Sequence, residues 1–167
     1  MEVLFENSYT RDEKLIKEIY SYEYFRRKLL IIFDIVMILC LLSNILILVV
    51  EKKCYWGVFI LAPLYFFYKF FCYWRQVRII IKRDQEVHGK EISVETIVTN
   101  EYIQNTASTG TVNKLEYENI RNVVQTNNLI LLRSKANLIY IFQKDAFTIG
   151  NAEDFIKFLK DKGIKVK

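Results

Sequence analysis

Residues 29–74 read LLIIFDIVMILCLLSNILILVV-EKK-CYWGVFILAPLYFFYKFFCYW, and this stretch decides the fold. It holds two apolar segments, Leu29–Val50 and Cys54–Trp74, which are separated by only three charged residues. At about 1.5 Å per residue, each segment reaches roughly 30 Å as a helix, which is the thickness of a bilayer's hydrocarbon core. In lipid every backbone group must be bonded within its own segment. The sequence therefore predicts a transmembrane hairpin of two antiparallel helices.

Two other interpretations of these segments are a buried helical pair and a signal peptide. A buried helical pair in a soluble protein is the stronger one, but a chain of 167 residues offers too little protein to wrap both helices. A signal peptide is the weaker one, because the first segment follows 28 mostly polar residues and has no small-residue cleavage site after it. The membrane hairpin is therefore the favoured interpretation.

Basic residues are concentrated on the outer flanks of the two segments rather than in the loop between them. The loop offers Lys52 and Lys53 only. By the positive-inside rule, this asymmetry predicts that both termini are cytoplasmic. The richness in Lys, Ile, Asn, Tyr and Phe is typical of an AT-rich bacterial genome, so we expect a multi-pass protein of the bacterial plasma membrane. The flanking basic residues are Arg26, Arg27, Lys28, Arg75, Arg78, Lys82 and Arg83.

Two charges lie inside the apolar segments, near the end that carries the basic flanks. Asp34 lies six residues after Lys28, and Lys69 lies six residues before Arg75. In an antiparallel hairpin both would sit about 9 Å below the same face. We predict an Asp34–Lys69 intramembrane pair, because a partner offsets the cost of placing either charge in lipid. The alternative is that each side chain reaches the interface independently.

A second polar contact is predicted near the opposite end of the hairpin. Pro63 cannot donate a backbone hydrogen bond, so it frees the carbonyl of Phe59. Asn44 lies at a similar depth in the first segment, and its amide is expected to reach that carbonyl. A kink whose carbonyl is bonded by water is the alternative.

The remaining residues form three polar parts. Residues 1–28 begin with a strand candidate, and a capping box at Thr10–Glu13 then starts an amphipathic helix. That helix is expected to lie along the membrane or to dock on the C-terminal domain. Residues 75–90 are interpreted as a juxtamembrane helix or linker. Residues 91–167 are interpreted as a cytoplasmic domain.

Alternating apolar residues and short turns predict an antiparallel meander in that domain. The chain then ends in one amphipathic helix, with Asn151 as the N-cap and Gly163 just past the end. We expect a small barrel closed by this helix. The predicted strands are Glu91–Val94, Ile97–Gln104, Thr111–Tyr117, Ile120–Val124, Leu129–Arg133 and Leu138–Phe142.

The order of these parts, with the segments KLEYENIRNVVQTNNLILL (114–132) and QKDAF (143–147), resembles the bacterial YcxB-like family. The resemblance implies an integral membrane protein whose C-terminal domain is similar to pleckstrin-homology (PH) domains. The expected fold class is membrane α+β: a transmembrane helical hairpin plus a small antiparallel PH-like β-barrel capped by a C-terminal helix. The family implies no established activity.

Residue patterns that carry chemistry are scarce. His88 is the single histidine and is interpreted as a solvated linker residue. Cys40, Cys54 and Cys72 lie in or beside the apolar segments without metal-ligand spacing, so neither a disulfide framework nor a zinc site is expected. We expect no catalytic site, no cofactor and no metal. Since no segment has the basic density of a nucleic-acid binder, no nucleic-acid partner is expected.

Three functions are compatible with this layout to different degrees. The first is a membrane-tethered module whose cytoplasmic domain binds an unidentified protein, by strand addition at an open edge. The second is an immunity or self-protection protein whose hairpin acts against a membrane-active toxin. The third, an enzyme, is disfavoured. Residues 91–113 contain no Lys or Arg, which argues against phosphoinositide recognition there, although the bilayer and its anionic lipids remain expected partners of the flanking basic residues. The sequence is compatible with a homo-oligomer and does not fix the oligomeric state.

Overall fold

The structure is a computed structural model that describes residues 2–26, 28–53, 55–88 and 92–166, without the side chains of residues 87 and 88. Arg27 of the basic flank, Cys54 at the start of the second apolar segment and Glu91 at the start of a predicted strand lie outside the described residues. The chain divides into two compact units: residues Glu13–Arg83, and the two stretches Met1–Asp12 and Asp84–Lys167 together.

This division differs from the one expected from the sequence, because the first twelve residues join the C-terminal unit. The N-terminal strand β1, Phe5–Arg11, pairs with a strand that begins more than eighty residues later, β2 at Ile92–Val98. A local pattern can identify a strand but not such a distant partner. We call the two units the hairpin unit and the sheet unit.

The hairpin unit consists of helices. Helix α1 spans Glu13–Ser21 and is followed by a π-helical turn at Tyr22–Arg26. Helix α2 spans Lys28–Glu51, and helix α3 spans Trp56–His88. The first predicted segment therefore matches α2 within a residue at each end, whereas α3 continues well beyond the second, through the predicted juxtamembrane stretch.

The apolar side chains of α2 and of the first half of α3 are mostly exposed. Both helices are long and apolar enough to cross a membrane, and only 6% and 11% of their most apolar windows are buried. The core helix of a soluble protein would have most of this surface covered by its own chain. Such exposure in a chain of this size is what a hairpin surrounded by lipid requires.

Helix α1 buries the apolar stripe that its sequence predicts. Leu15, Ile16 and Ile19 are all less than 9% exposed, while Glu13 and Lys17 form an ion pair at 2.6 Å on the exposed face. The stripe is thus covered by protein.

In the described residues of the sheet unit there are eight strands, in two antiparallel sheets. One sheet has the order β4-β3-β2-β1-β8 and the other the order β5-β6-β7. The predicted α+β layout is confirmed, but the predicted closed barrel is wrong for the described residues, because no strand pairing joins the two sheets. The strands after β2 are β3 Tyr102–Ala107, β4 Val112–Glu116, β5 Ile120–Gln125, β6 Leu129–Ser134, β7 Ile139–Gln143 and β8 Phe147–Ile149.

The first two strands after the linker differ from the prediction. The predicted strand Ile97–Gln104 contains the turn between β2 and β3. There the hydroxyl of Thr99 accepts hydrogen bonds from the backbone N–H groups of Glu101 and Tyr102. This side-chain turn is hidden in the sequence because β-branched residues lie on both sides of it.

The C-terminal helix α4, Ala152–Asp161, covers the core between the sheets. Its side chains Phe155 and Leu159 are fully buried, and the ring centroids of Phe155 and Phe142 are 4.5 Å apart. The side chain of Asn151 accepts a hydrogen bond from the N–H of Asp154 at 2.8 Å, so it caps the helix as its position in the sequence indicates.

One buried asparagine links the two sheets. Asn7 in β1 has no exposed surface, and its side-chain amide bonds both backbone groups of Gln143 in β7. Its Nδ2 donates to the Gln143 carbonyl at 2.8 Å, and its Oδ1 accepts from the Gln143 N–H at 3.2 Å. The amide thus takes the place of a strand residue where the ladder between the sheets is missing.

We predict that Asn7→Ala loosens this junction. The substitution leaves the Gln143 N–H unpaired in a partly buried site, at a cost of about 1–3 kcal/mol, while the Gln143 carbonyl keeps its hydrogen bond from the Ala146 N–H at 3.1 Å. Hydrogen exchange of the full-length protein in detergent should become at least fivefold faster in β1 and β7. The control is Asn113→Ala, at an exposed position, and equal exchange in both variants would contradict the assignment.

Candidate functional site

The less exposed side chains of α2 form a single seam along the helix. They recur every three or four residues, the spacing at which one helix packs along another. On α3 the seam includes Val58, Ala62, Tyr65 and Lys69, of which Ala62 is fully buried. The α2 members are Leu30, Asp34, Met37, Leu41, Asn44 and Ile47.

The structure brings Asp34 and Lys69 together on this seam. The Lys69 Nζ lies 2.5 Å from Asp34 Oδ2, and the Tyr65 hydroxyl donates to Asp34 Oδ1 at 3.0 Å. The Asp34 side chain is 22% exposed and the Lys69 side chain 8%. Lys69 Nζ also lies 5.1 Å from the Phe25 ring centroid. Both carboxylate oxygens therefore have donors from α3.

Helix geometry explains why the pair can form although Lys69 lies one turn beyond Tyr65. The Cα–Cβ bonds of a helix tilt toward its N-terminus. In an antiparallel pair, the Lys69 side chain leans back along α3 while that of Asp34 leans along α2 in the opposite direction, so the two converge. Sequence reasoning included the pair but missed Tyr65, which was one aromatic residue among many.

Asn44 makes a different contact from the predicted one. Its Nδ2 donates to the carbonyl of Tyr55 at 2.9 Å, and its Oδ1 accepts from the Tyr55 N–H at 3.2 Å. The predicted partner, the Phe59 carbonyl freed by Pro63, is wrong. Tyr55 immediately precedes α3, where backbone N–H groups have no helical partner. The amide of Asn44 supplies an acceptor for the Tyr55 N–H and adds a donor to its carbonyl, which also accepts from the Val58 N–H.

The two polar contacts fix one register between the helices. Asp34 and Asn44 lie ten residues apart, and so do their partners Tyr65 and Tyr55. Ten residues correspond to about 15 Å of helix. The contacts therefore act as two rungs on one seam.

The basic flank lies at one end of the hairpin unit. Tyr24 and Phe25 contact the Tyr73 ring, with centroids 6.1 and 5.3 Å apart, and so place the residues before α2 beside α3. The Arg78 guanidinium lies 3.5 Å from the Trp74 ring centroid. The described basic residues here are exposed: Arg26, Lys28, Arg75, Arg78, Lys82 and Arg83.

A second candidate site is the outer edge of β4 in the sheet unit. The Ala107 N–H donates to the Thr111 carbonyl at 2.9 Å, which makes these residues a hydrogen-bonded pair at the start of the β3–β4 ladder. Such pairs alternate along an antiparallel ladder. The backbone groups of Val112, Lys114 and Glu116 consequently point away from β3.

This edge is largely unoccupied within the described residues. Val112 is 52% exposed. Among the described residues, the carbonyl of Lys114 alone has a partner on that side, the Tyr140 hydroxyl at 3.4 Å. The other outward N–H and C=O groups are available to an added strand.

A polar groove of about 430 Å³ adjoins the edge. Burial raises the pKa of Tyr117, whose hydroxyl donates to the Thr99 carbonyl at 2.5 Å. Lys162 Nζ donates to the Asn100 carbonyl at 3.1 Å. The groove is lined by Glu101, Tyr102, Lys114, Glu116, Tyr117, Glu118 and Lys162.

Other chemistry is sparse in the part of the chain that the structure describes. No group of three or more His, Cys, Asp or Glu side chains there is arranged to hold a metal ion. Cys40 and Cys72 are free thiols.

The fold defines an α+β protein with a two-helix apolar hairpin and an antiparallel domain that is open at one sheet edge. Residues 98–159, from the end of β2 into α4, match the family model described as YcxB-like protein, so the family expected from the sequence is confirmed over that part of the chain. No match to the chain is found among curated proteins or among solved structures.

We predict that Asp34 and Lys69 are energetically coupled. Removing one partner by Asp34→Asn or Lys69→Met leaves the other charge poorly solvated, at a cost of about 1.5–3 kcal/mol. The double variant should lose less than the sum of the single losses, because no unpaired charge remains. Unfolding in a titration with sodium dodecyl sulfate can be followed by the fluorescence of Trp56 and Trp74, the two tryptophans of the chain, which both lie in α3.

Lys53→Met is the matched control, because Lys53 is 72% exposed in its side chain. It should leave the unfolding midpoint unchanged. Strictly additive losses, or a harmless Asp34→Asn beside a damaging Lys69→Met, would contradict the coupling.

Proposed function

We propose that this chain is an integral protein of the bacterial plasma membrane whose hairpin crosses the bilayer. The exposed apolar surface of α2 and α3 supports this proposal, because only lipid or another apolar partner removes so much surface from water. The polar seam supports it too. Asp34, Lys69 and Asn44 turn toward the partner helix and bond there, as polar groups within membranes do.

The proposed topology places both termini in the cytoplasm. It rests on the excess of Lys and Arg at one end of the hairpin over Lys52 and Lys53 at the other. It also makes the sheet unit a cytoplasmic domain, which carries the activity in this proposal.

We propose that the sheet unit is a PH-like domain that acts as a non-enzymatic, membrane-tethered protein-binding module. Two antiparallel sheets covered by one C-terminal helix support the likeness. The observation that carries the binding role is the open edge of β4, where backbone groups of Val112, Lys114 and Glu116 face away from the sheet. Such an edge binds an extended segment by strand addition.

The other sheet edges are less suited to this role. The β5 edge is occupied by the C-terminal segment, since the Val123 N–H donates to the Lys165 carbonyl at 3.0 Å. The β7 edge is held at one end by Asn7 through Gln143. Strand β8 is only three residues long. The β4 edge, by contrast, has three outward-facing positions, at which the Lys114 carbonyl alone has a hydrogen-bond partner among the described residues.

The alternative, self-protection through the hairpin, is less favoured. Asp34, Lys69 and Asn44 form their hydrogen bonds within this chain, on the seam between the helices. The surface that α2 and α3 present to another membrane protein is therefore mainly apolar. Recognition of a specific toxin there would rest on shape alone. The sheet unit, by contrast, presents directional hydrogen-bonding groups.

Strand addition predicts that Lys114→Pro abolishes partner capture whereas Lys114→Ala does not. Proline removes the outward N–H at this position and spares the bonds to β3, as it does on natural edge strands. Alanine removes the same side chain and keeps the N–H. The measurement is photocrosslinking in native membranes from a photoreactive residue at Val112.

Hydrogen exchange in the rest of the sheet should be alike in both variants, which checks that the fold is intact. Equal capture by the proline and alanine variants would rule out binding through the backbone of this edge.

The topology predicts that a tag after Lys167 is protected from protease added to intact cells and is digested in inverted vesicles. A tag between Lys52 and Lys53 should give the opposite result. Digestion of the C-terminal tag from outside intact cells would overturn both the topology and the cytoplasmic module.

A further inference from the structure

The sheet face beside the β4 edge is acidic although the chain as a whole is basic. Residues 92–118 carry four carboxylates and one lysine, in a protein whose net charge is +5. The carboxylates are Glu95, Glu101, Glu116 and Glu118, and the lysine is Lys114. The charge of this region therefore has the opposite sign to that of the rest of the molecule.

Three of these carboxylates line the groove at the end of β4, and they are only weakly engaged. Glu116 accepts one long bond, from Asn119 Nδ2 at 3.4 Å. The carboxylates of Glu101 and Glu118 have no hydrogen bond or ion pair in the described part of the chain. The groove consequently presents carboxylates that are available to pair with a cationic side chain.

The two lysines of the groove already have partners. Lys162 Nζ donates to the Asn100 carbonyl and lies 5.3 Å from the Tyr117 ring centroid. Lys114 Nζ lies 4.7 Å from the Tyr102 ring centroid. Neither lysine neutralises the three carboxylates through an ion pair.

The positions whose backbone faces outward also share one face of the sheet. Val112, Lys114 and Glu116 alternate with Leu115, which is buried in the core. A strand added to β4 would place its own side chains directly opposite these three residues and on the same face. Each of the three then selects its neighbour by size and charge.

We infer that the segment bound by β4 is an extended peptide that carries Arg or Lys opposite Glu116, an acidic residue opposite Lys114 and an apolar residue opposite Val112. Opposite charges across a strand pair stabilise it, and like charges destabilise it. The acidic groove strengthens the preference at Glu116. This inference rests on the proposed strand addition and adds the chemistry of the partner.

Two other occupants of the edge fit less well. An anionic headgroup would meet Glu101, Glu116 and Glu118. A second copy paired symmetrically about Lys114 would place two lysines opposite each other. The experiment distinguishes both of these occupants from a peptide.

The test uses two peptides of identical composition, each joined after Lys167 of the full-length protein by a flexible Gly/Ser linker. The first is TRTETVT, which sets Arg, Glu and Val opposite Glu116, Lys114 and Val112 in the antiparallel direction found throughout both sheets. The second, TETRTVT, exchanges the Glu and the Arg. Tethering raises the effective concentration to about the millimolar range.

The readout is the ¹⁵N-amide signals of Val112, Lys114 and Glu116 in protein held in lipid nanodiscs. We expect the first peptide to occupy the edge about tenfold more tightly than the second, since two favourable pairs are replaced by two repulsive ones. In the double variant Lys114→Glu with Glu116→Lys, the preference should invert. That inversion separates charge pairing from any general effect of the peptides on folding.

Equal occupancy by both peptides would overturn the inferred charge pairing at Lys114 and Glu116 and leave strand addition intact. If neither peptide shifted the signals, both strand addition at β4 and the inferred charge pairing would be wrong. Shifts of the same signals without peptide, on raising the protein concentration or on adding phosphatidylinositol phosphate to the nanodisc, would assign the edge to a second copy or a headgroup and overturn the inference.

Discussion

The need of every buried backbone N–H and C=O for a hydrogen-bond partner shapes both units of this protein. At two places where a strand ladder or a helix ends, an asparagine side chain bonds the backbone groups there. Asn7 bonds both backbone groups of Gln143 between the two sheets, and Asn44 does the same for Tyr55 at the start of α3. A side-chain amide has a donor and an acceptor in the geometry of a peptide group, so a single residue bonds both groups. The two N–H groups depend on the asparagines, whereas the carbonyls of Gln143 and Tyr55 also accept from the N–H groups of Ala146 and Val58.

At the edge of β4 the described residues supply one partner for the outward backbone groups, the Tyr140 hydroxyl on the Lys114 carbonyl. These outward N–H and C=O groups lie at the surface, where water satisfies them at little cost, and a strand can replace that water. Natural proteins usually protect such edges with charges or short length. Here Lys114 and Glu116 lie on the edge, and in the proposed strand addition the same two charges would select the partner segment.

Charge placement also organises the hairpin unit. Asp34 and Lys69 lie on the seam, and Tyr65 supplies the remaining donor to the carboxylate. The exposed surface of the two helices therefore stays apolar while the polar groups specify one register of the helices. Apolar side chains alone would tolerate several registers, because their packing has little directional preference.

The sequence by itself determined the two apolar helices, the charge asymmetry of their flanks, the C-terminal helix and most of the strands after β3, because composition and periodicity act over a few residues. The pairing of Asp34 with Lys69 could be derived as well, since an antiparallel hairpin with a three-residue loop leaves little freedom of register. Only the tertiary structure decided the place of β1, the partners of Asn7 and Asn44, the two open sheets instead of a barrel, and the free edge of β4. These features depend on which distant backbone groups remain unpaired once the chain has folded, and Asn7 lies 136 residues from Gln143.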